Sequence, residues 1–305
     1  MGGSGRSYPI WTDSDQKKID KKKEEEQGRL DKNINNMLND LLINYNDRDR
    51  ELIQDHLNEL SDIIGEEVEI DQLLFGGSVS KHTDVDGISD VDALVILNRD
   101  DIQGKSPKEM LSIFKKILDK KLETYELKNN IQKGKLAITI KYKDGSEIQL
   151  LPAFRTKDKI YISSDNDKKW NDIKPKVFQK ELTRANNNMD SRLVPVIKLC
   201  KAINVGLPKE RQLTGYHLEA LAIESVKNYK GPKTLKALVS NIVEYSANRV
   251  LKPITDKTGQ SSKVDEYLGK SNSNQRNEIS RTLTSLVRRL NTAKNVSQWR
   301  AVFDD

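Results

Sequence analysis

The strongest constraint on the fold lies in residues 75–97, which read FGGSVSKHTDVDGISDVDALVIL. Residues 91–97 are strand-like, and the apolar run at residues 93–97 is typical of a buried strand. Side chains alternate between the two faces of a strand, so Asp90 and Asp92 point the same way. Two carboxylates this close repel each other unless a cation lies between them. Mg²⁺ and Mn²⁺ are the hard ions that prefer such oxygen ligands.

A turn of small residues, Gly76-Gly77-Ser78, comes before the two aspartates. Backbone N–H groups of a glycine turn can bind phosphate oxygens, and the serine hydroxyl adds a further donor. Gly77 and Ser78 are therefore candidate nucleotide-binding residues, and Asp90 and Asp92 are candidate metal ligands. Either feature alone is also common in ordinary loops and surface strands. Together they predict a metal-dependent nucleotidyl-transfer site.

The joint pattern resembles the signature of the DNA polymerase β-like nucleotidyltransferase superfamily. This resemblance implies in-line attack of a hydroxyl on an α-phosphate, with two Mg²⁺ ions for which Mn²⁺ can substitute. It also implies a third carboxylate, placed three residues before a Pro-Ala on a neighbouring strand. That position is Gln149 here, and a glutamine is a poor metal ligand and cannot act as a base.

Glu147 lies on the same face of that strand as Gln149, one pleat away. We therefore expect Glu147 to supply the third carboxylate, as a catalytic residue and metal ligand beside Asp90 and Asp92. One alternative is an exposed Glu147 on an edge strand, with catalysis resting on the two aspartates. Another is a protein without activity.

Two segments of the C-terminal half extend the resemblance. Residues 193–201, LVPVIKLCK, resemble the helix whose lysine reaches the donor triphosphate in cyclic GMP–AMP synthase and oligoadenylate synthase. Lys201 matches that lysine, and Lys198 lies one turn back. Residues 214–219, TGYHLE, resemble a Ser-Tyr-x-x-Glu/Lys segment, by which Tyr216 would stack on a nucleobase. Gly215 replaces the serine, so Thr214 is the candidate for its phosphate contact.

Residues 147–154, Trp170 and residues 253–269 resemble bacterial CD-NTases, the oligonucleotide cyclases of anti-phage CBASS systems. The resemblance implies an enzyme that cyclises NTPs, chiefly ATP, into a cyclic di- or trinucleotide second messenger. A transferase of the same fold that acts on RNA or protein is one alternative, and an inactive nucleotide-binding module is another. The implied partners are ATP and other NTPs, with a regulatory protein or a nucleic-acid activator.

The resemblance and the hydrophobic periodicity together predict an α+β fold. Residues 1–16 are expected to form a flexible arm, residues 17–175 a polymerase β-like catalytic lobe of mixed sheet with N-terminal brace helices, and residues 176–305 a helical lobe like the oligoadenylate synthase C-terminal region. Asp144-Gly145 predicts a hairpin. Residues 155–170 are expected to form a loop-rich stretch over an active site in the cleft between the lobes.

Composition bears on partners and compartment. The 305 residues include 52 basic and 46 acidic side chains, and the net charge of +6 fits a polyanionic ligand as well as an ordinary soluble surface. Cys200 is the single cysteine, which excludes an intrachain disulfide and a cysteine zinc cluster. No apolar run approaches the ~20 residues that span a bilayer, and the first residues lack a hydrophobic signal region. We expect a cytoplasmic protein with no membrane partner.

Overall fold

The computed structural model describes residues 13–47, 49–86, 88–121, 130–157, 159–163, 169–258 and 261–304. The helices in these ranges are α1 (Asp13–Tyr45), α2 (Arg50–Gly65), α3 (Arg99–Ile102), α4 (Pro107–Lys121), α5 (Pro175–Asn188), α6 (Leu193–Val205), α7 (Gly215–Ser225), α8 (Leu235–Arg249), α9 (Asn274–Thr292) and α10 (Val296–Arg300). The strands are β1 (Ile70–Phe75), β2 (Val91–Leu97), β3 (Ile131–Lys133), β4 (Ile138–Lys141), β5 (Glu147–Arg155), β6 (Ile160–Ser163) and β7 (Trp170–Ile173). Residues 1–12 of the predicted arm lie outside the described residues, and residues 13–16 form the first turn of α1.

The strands of the described residues form one mixed sheet around β5. β2 pairs with β5 in parallel, and this register places Asp92 beside Gln149. β1 pairs antiparallel with the other side of β2. The first half of β5 pairs with β4, and its last residues pair with β6, which continues to β7. The α+β fold class predicted from the sequence is confirmed.

The hairpin between β4 and β5 forms where Asp144-Gly145 predicted it. Gly145 has φ +89°, a left-handed conformation that glycine adopts without strain. The Gly145 N–H donates to the Tyr142 carbonyl at 3.1 Å, and the Tyr142 N–H donates to the Ser146 carbonyl at 2.9 Å. The turn thereby fixes the register that brings Gln149 next to β2.

The loop-rich stretch expected at residues 155–170 is wrong in part, because β6 and β7 extend the sheet there. Each of these strands has four residues, too few to show a clear alternation in sequence. Aromatic contacts compensate for their short length. Phe154 of β5 stacks on Tyr161 with ring centroids 4.6 Å apart, and meets Trp170 edge-on at 5.2 Å.

The two N-terminal helices pack on different partners. The apolar stripe of α1 joins the core formed by the helices after residue 175, and Cys200 is buried in that core. The apolar face of α2 instead packs with α4 against the sheet. The long N-terminal pair therefore contacts both the sheet and the C-terminal helices. No helix among the described residues has both the length and the apolar character that crossing a membrane requires.

Candidate functional site

A cleft of about 330 Å³ opens between the glycine turn after β1, the start of β2, and helices α6 and α7. Six of the predicted site residues line it: Gly77, Ser78, Asp90, Asp92, Lys201 and Tyr216. The other four, which are Glu147, Gln149, Lys198 and Thr214, are not among its lining residues. The cleft thus joins residues of the sheet to residues of the helical half, as the sequence predicted.

Gly77 lies directly against the carboxylate of Asp92. A Cβ atom on Gly77 would stand 1.6 Å from Asp92 Oδ2, and the residue has φ +47°. Both conditions require glycine at this position. The N–H of Gly76 donates to the Asp92 backbone carbonyl at 2.8 Å, and this bond holds the glycine turn against β2. The glycine turn and the Asp-x-Asp pattern are therefore parts of one site.

The two aspartates crowd each other. Asp92 keeps some exposure to the cleft, but burial, and then the charge of Asp90, raise its pKa to about 6. The ammonium groups of Lys81 and Lys201 lower this pKa in part. Ionising Asp92 is thus costly in the absence of a cation, and a divalent ion between the carboxylates would remove that cost.

The third acidic position of the superfamily pattern is occupied by an amide. The side-chain N–H of Gln149 donates to Asp90 Oδ2 at 2.6 Å. Glu147, at the beginning of β5, pairs instead with Lys141 of β4 at 2.9 Å. The described residues contain no group of three or more Asp, Glu, His or Cys side chains that could hold a metal ion. The expected group of Asp90, Asp92 and Glu147 is therefore absent, because the cross-strand lysine engages Glu147 one pleat away.

Lys201 is buried and faces other protein groups. Its ammonium donates to Glu219 Oε1 at 2.8 Å, to the Thr83 carbonyl at 2.9 Å and to Thr83 Oγ1 at 3.3 Å. Burial lowers the pKa of Lys201, and the charge of Glu219 opposes that effect. Lys198, one turn back, donates to Asn46 Oδ1 at 2.6 Å, just after the end of α1. This contact joins α6 to the residue that follows α1.

Glu219 is the residue that sequence reasoning missed. Its carboxylate accepts bonds from Lys201, from Thr83 Oγ1 at 2.5 Å and from Lys81. Burial raises the pKa of Glu219, but the two lysines more than offset this, and the net shift is downward. It is the glutamate of the TGYHLE segment, three residues after Tyr216, and that spacing was the available signal. Lys81 was missed because a lone lysine in a loop has no distinguishing pattern.

Tyr216 and Thr214 mark the beginning of α7 beside the cleft. The Tyr216 hydroxyl donates to Asp256 Oδ1 at 2.9 Å, and its ring lies 4.8 Å from that of Phe178. Thr214 is the N-cap, and its Oγ1 accepts the His217 N–H at 3.3 Å. His217 itself is fully buried, with Nδ1 3.0 Å from the Tyr267 hydroxyl. The structure therefore gives Thr214 a capping contact and places Tyr216 at the cleft wall.

Residues 29–186 match the family model of the Second Messenger Oligonucleotide or Dinucleotide Synthetase domain. This match covers just over half of the chain, and it includes the glycine turn, both aspartates and the whole of β5. No curated protein matches the chain at a significant level.

Several solved structures share the fold. The Bradyrhizobium diazoefficiens CD-NTase CdnG in complex with GTP has a TM-score of 0.65 and 14% identity, over 87% of this chain and 93% of that chain. CdnC of E. coli MS115-1 with ATP has a TM-score of 0.61 and 12% identity, over 84% and 91%. The Vibrio cholerae DncV cyclic AMP-GMP synthase, in complex with a linear intermediate, has a TM-score of 0.56 and 14% identity, over 93% and 86%. The chain belongs to the Second Messenger Oligonucleotide or Dinucleotide Synthetase domain family, and it has the polymerase β-like α+β fold of the bacterial CD-NTases.

Proposed function

We propose that the protein is a nucleotidyltransferase that joins NTPs, chiefly ATP, into a cyclic di- or trinucleotide second messenger for anti-phage signalling. One observation carries the proposal: a single cleft brings together the glycine turn, the aspartate pair and Tyr216. These are the parts that phosphate binding, metal binding and base stacking each require. Family membership supports the reaction class, and the choice of ATP, the ring size and the anti-phage role rest on the resemblance.

The residues present fit a divalent cation. Asp90 and Asp92 are oxygen ligands of the kind that Mg²⁺ prefers, and burial, then the charge of Asp90, raises the pKa of Asp92. Mn²⁺ can take the same place. When bound, such an ion would neutralise charge that develops on the phosphates. We propose two ions in all, held by the aspartate pair, with the Gln149 amide and not a third carboxylate beside them.

The chain's own residues would do the remaining work. The backbone N–H groups at Gly77 and the hydroxyl of Ser78 line the cleft and would bind the phosphates of the donor nucleotide. Tyr216 would stack on a base at the opposite wall. The aspartate nearest the acceptor hydroxyl would accept its proton. Enclosure between sheet and helices would limit the access of water to the reacting phosphate.

The test is to incubate the purified protein with mixed NTPs and Mg²⁺, and to measure pyrophosphate release and the product mass. We expect a small, phosphatase-resistant cyclic species. Asp90→Asn combined with Asp92→Asn should abolish it, whereas Asp71→Asn, at an exposed position of β1, should leave it unchanged. A double variant as active as the wild type would overturn the site assignment. Labelled RNA or protein as the product would favour a transferase of that specificity.

A second candidate is a nucleotide-binding module without turnover. The observation in its favour is the Gln149 bond to Asp90, since an amide occupies the place of the third acid. Calorimetry that shows NTP binding without pyrophosphate release, in both Mg²⁺ and Mn²⁺, would support this candidate. A regulatory protein or an activating nucleic acid is the proposed partner class, and the cytoplasm is the proposed compartment. Both of these rest on the sequence alone.

A further inference from the structure

The lysine that the resemblance assigns to the triphosphate is fully occupied in this structure. An ammonium group has three protons. Those of Lys201 are directed to Glu219 Oε1, to the Thr83 carbonyl and to Thr83 Oγ1, at 2.8, 2.9 and 3.3 Å. The Lys201 side chain is only 6% exposed. To contact a phosphate, it would have to give up bonds that join α6 to α7 and to the loop after the glycine turn.

A second lysine, Lys81, contacts the Glu219 carboxylate and retains further hydrogen-bond donors. Lys81 donates to Glu219 Oε2, and this hydrogen bond uses one of the three ammonium protons. Its side chain is 14% exposed and lines the cleft. Lys81 ends the short 3-10 turn Val79–Lys81, which directly follows Gly77 and Ser78. A phosphate bound at the glycine turn would therefore lie within the reach of this side chain.

Aromatic rings and a carboxylate fix the position of Lys81. Its Nζ lies 5.1 Å from the ring centroid of Phe178 and 5.3 Å from that of Tyr216. Such cation–π contacts hold an ammonium without using its hydrogen-bond donors in a strong bond. Glu219 is 1% exposed, and so it anchors Lys81 from the buried side. Lys81 itself is among the residues that line the cleft.

We propose that Lys81, and not Lys201, is the cation that contacts the nucleotide phosphates, and that Lys201 is a positioning residue. Lys201 holds Thr83 and Glu219, and Glu219 in turn holds Lys81 at the wall of the cleft. Lys81 reaches the phosphates while it keeps its bond to Glu219. The inference rests on the proposed function only in requiring that the cleft binds nucleoside triphosphates.

The test compares two probes in calorimetry with Mg²⁺: AMP, and an ATP analogue with a non-hydrolysable α,β-methylene bridge. The readout is the ratio of the two affinities, because partial unfolding lowers both affinities equally. Lys81→Met should weaken the ATP analogue about tenfold or more and change AMP little, since a charged contact to the outer phosphates is lost. Lys81→Arg should restore most of the ratio. Lys180→Met, at an exposed position of α5, is the matched control.

Lys201→Met should lower the melting temperature and preserve most of the ratio, because Lys81 keeps its own bond to Glu219. If Lys201→Met does not fold, the ratio measured for Lys81→Met decides the proposal. The proposal is overturned if Lys81→Met keeps the wild-type ratio, or if a folded Lys201→Met loses it. Failure of the proposed function looks different, because the wild type itself would then bind neither probe.

Discussion

Replacing Asp92 by asparagine should stabilise the protein when no metal is present. The pKa of Asp92 rises from 3.8 to about 6, first through burial and then through Asp90. A rise of this size means that the folded state disfavours the ionised carboxylate by about 3 kcal/mol. Asparagine has nearly the same shape and carries no charge. We expect Asp92→Asn to raise the free energy of unfolding by about 1–3 kcal/mol at pH 8.

The dependence on pH has a definite sign. Between pH 3.8 and about 6 the folded protein holds the Asp92 proton more tightly than the unfolded chain does. The contribution of Asp92 to stability therefore falls as the pH rises through this window. The variant lacks that contribution, so its advantage over the wild type should be large at pH 8 and small at pH 4.

The assay is urea unfolding followed by far-UV circular dichroism in EDTA, at pH 4, 6 and 8, with Asp71→Asn as the exposed control. Adding Mg²⁺ and the methylene ATP analogue should reverse the order, because only the wild type gains stability from the ligand. If Asp92→Asn is less stable than the wild type by the same amount at every pH, the carboxylate makes net favourable contacts. The burial argument is then wrong.

Three further substitutions probe the same region and the helical core. Gly77→Ala should lower the free energy of unfolding by more than about 2 kcal/mol and abolish nucleotide binding, because its Cβ would meet the Asp92 carboxylate. The control is Gly104→Ala: Gly104 has φ +76° but open space around it, so thermal unfolding of this variant measures the backbone strain alone. Gln149→Asp should strengthen Mn²⁺ binding in paramagnetic resonance titrations, and unchanged affinity would count against the aspartate pair as the metal site. Burial lowers the pKa of His217 to about 4, so the His217 contribution to stability should decline as the pH falls from 6.5 towards 4, opposite to the contribution of Asp92. In the Asp92→Asn background, which lacks the opposing contribution, urea unfolding should show this decline and His217→Gln should remove it; a persistent decline would point to other groups.

Much of the sheet side of the site could be predicted from the sequence. The apolar residues that follow Asp90 and Asp92 predict a buried strand with the two carboxylates at one end. The strand β2 has the predicted bounds. Asp144-Gly145 has a strong local preference for a hairpin, so the approach of β4 to β5 also followed. Both features are set by residues that are adjacent along the chain, and a single sequence shows such local patterns directly.

The network around Glu219 could not be predicted, since it depends on tertiary contacts. Its lysine partners come from the turn after β1 and from α6, and neither segment alone shows that the two lysines meet at Glu219. Whether Glu147 or Gln149 contacts Asp90 could not be predicted for the same reason. Alternation places both on one face, but only the pairing of β4 shows that Lys141 is opposite Glu147. Strand pairing therefore decided which side chain contacts Asp90.

The charges that line the cleft imply that the nucleotide and the metal bind together. The charged lining residues are Lys81, Asp90, Asp92, Lys201 and Glu219, which are three acids against two lysines. Glu219 engages both lysines and offsets part of their positive charge within the cleft. A triphosphate without a cation would meet this negative charge, whereas a bound divalent ion would bridge phosphate and carboxylate. We expect EDTA to weaken binding of the methylene ATP analogue at least about tenfold, and to weaken it far less in Asp90→Asn combined with Asp92→Asn. Equal wild-type affinity with and without Mg²⁺ would show that the phosphates bind away from the aspartates.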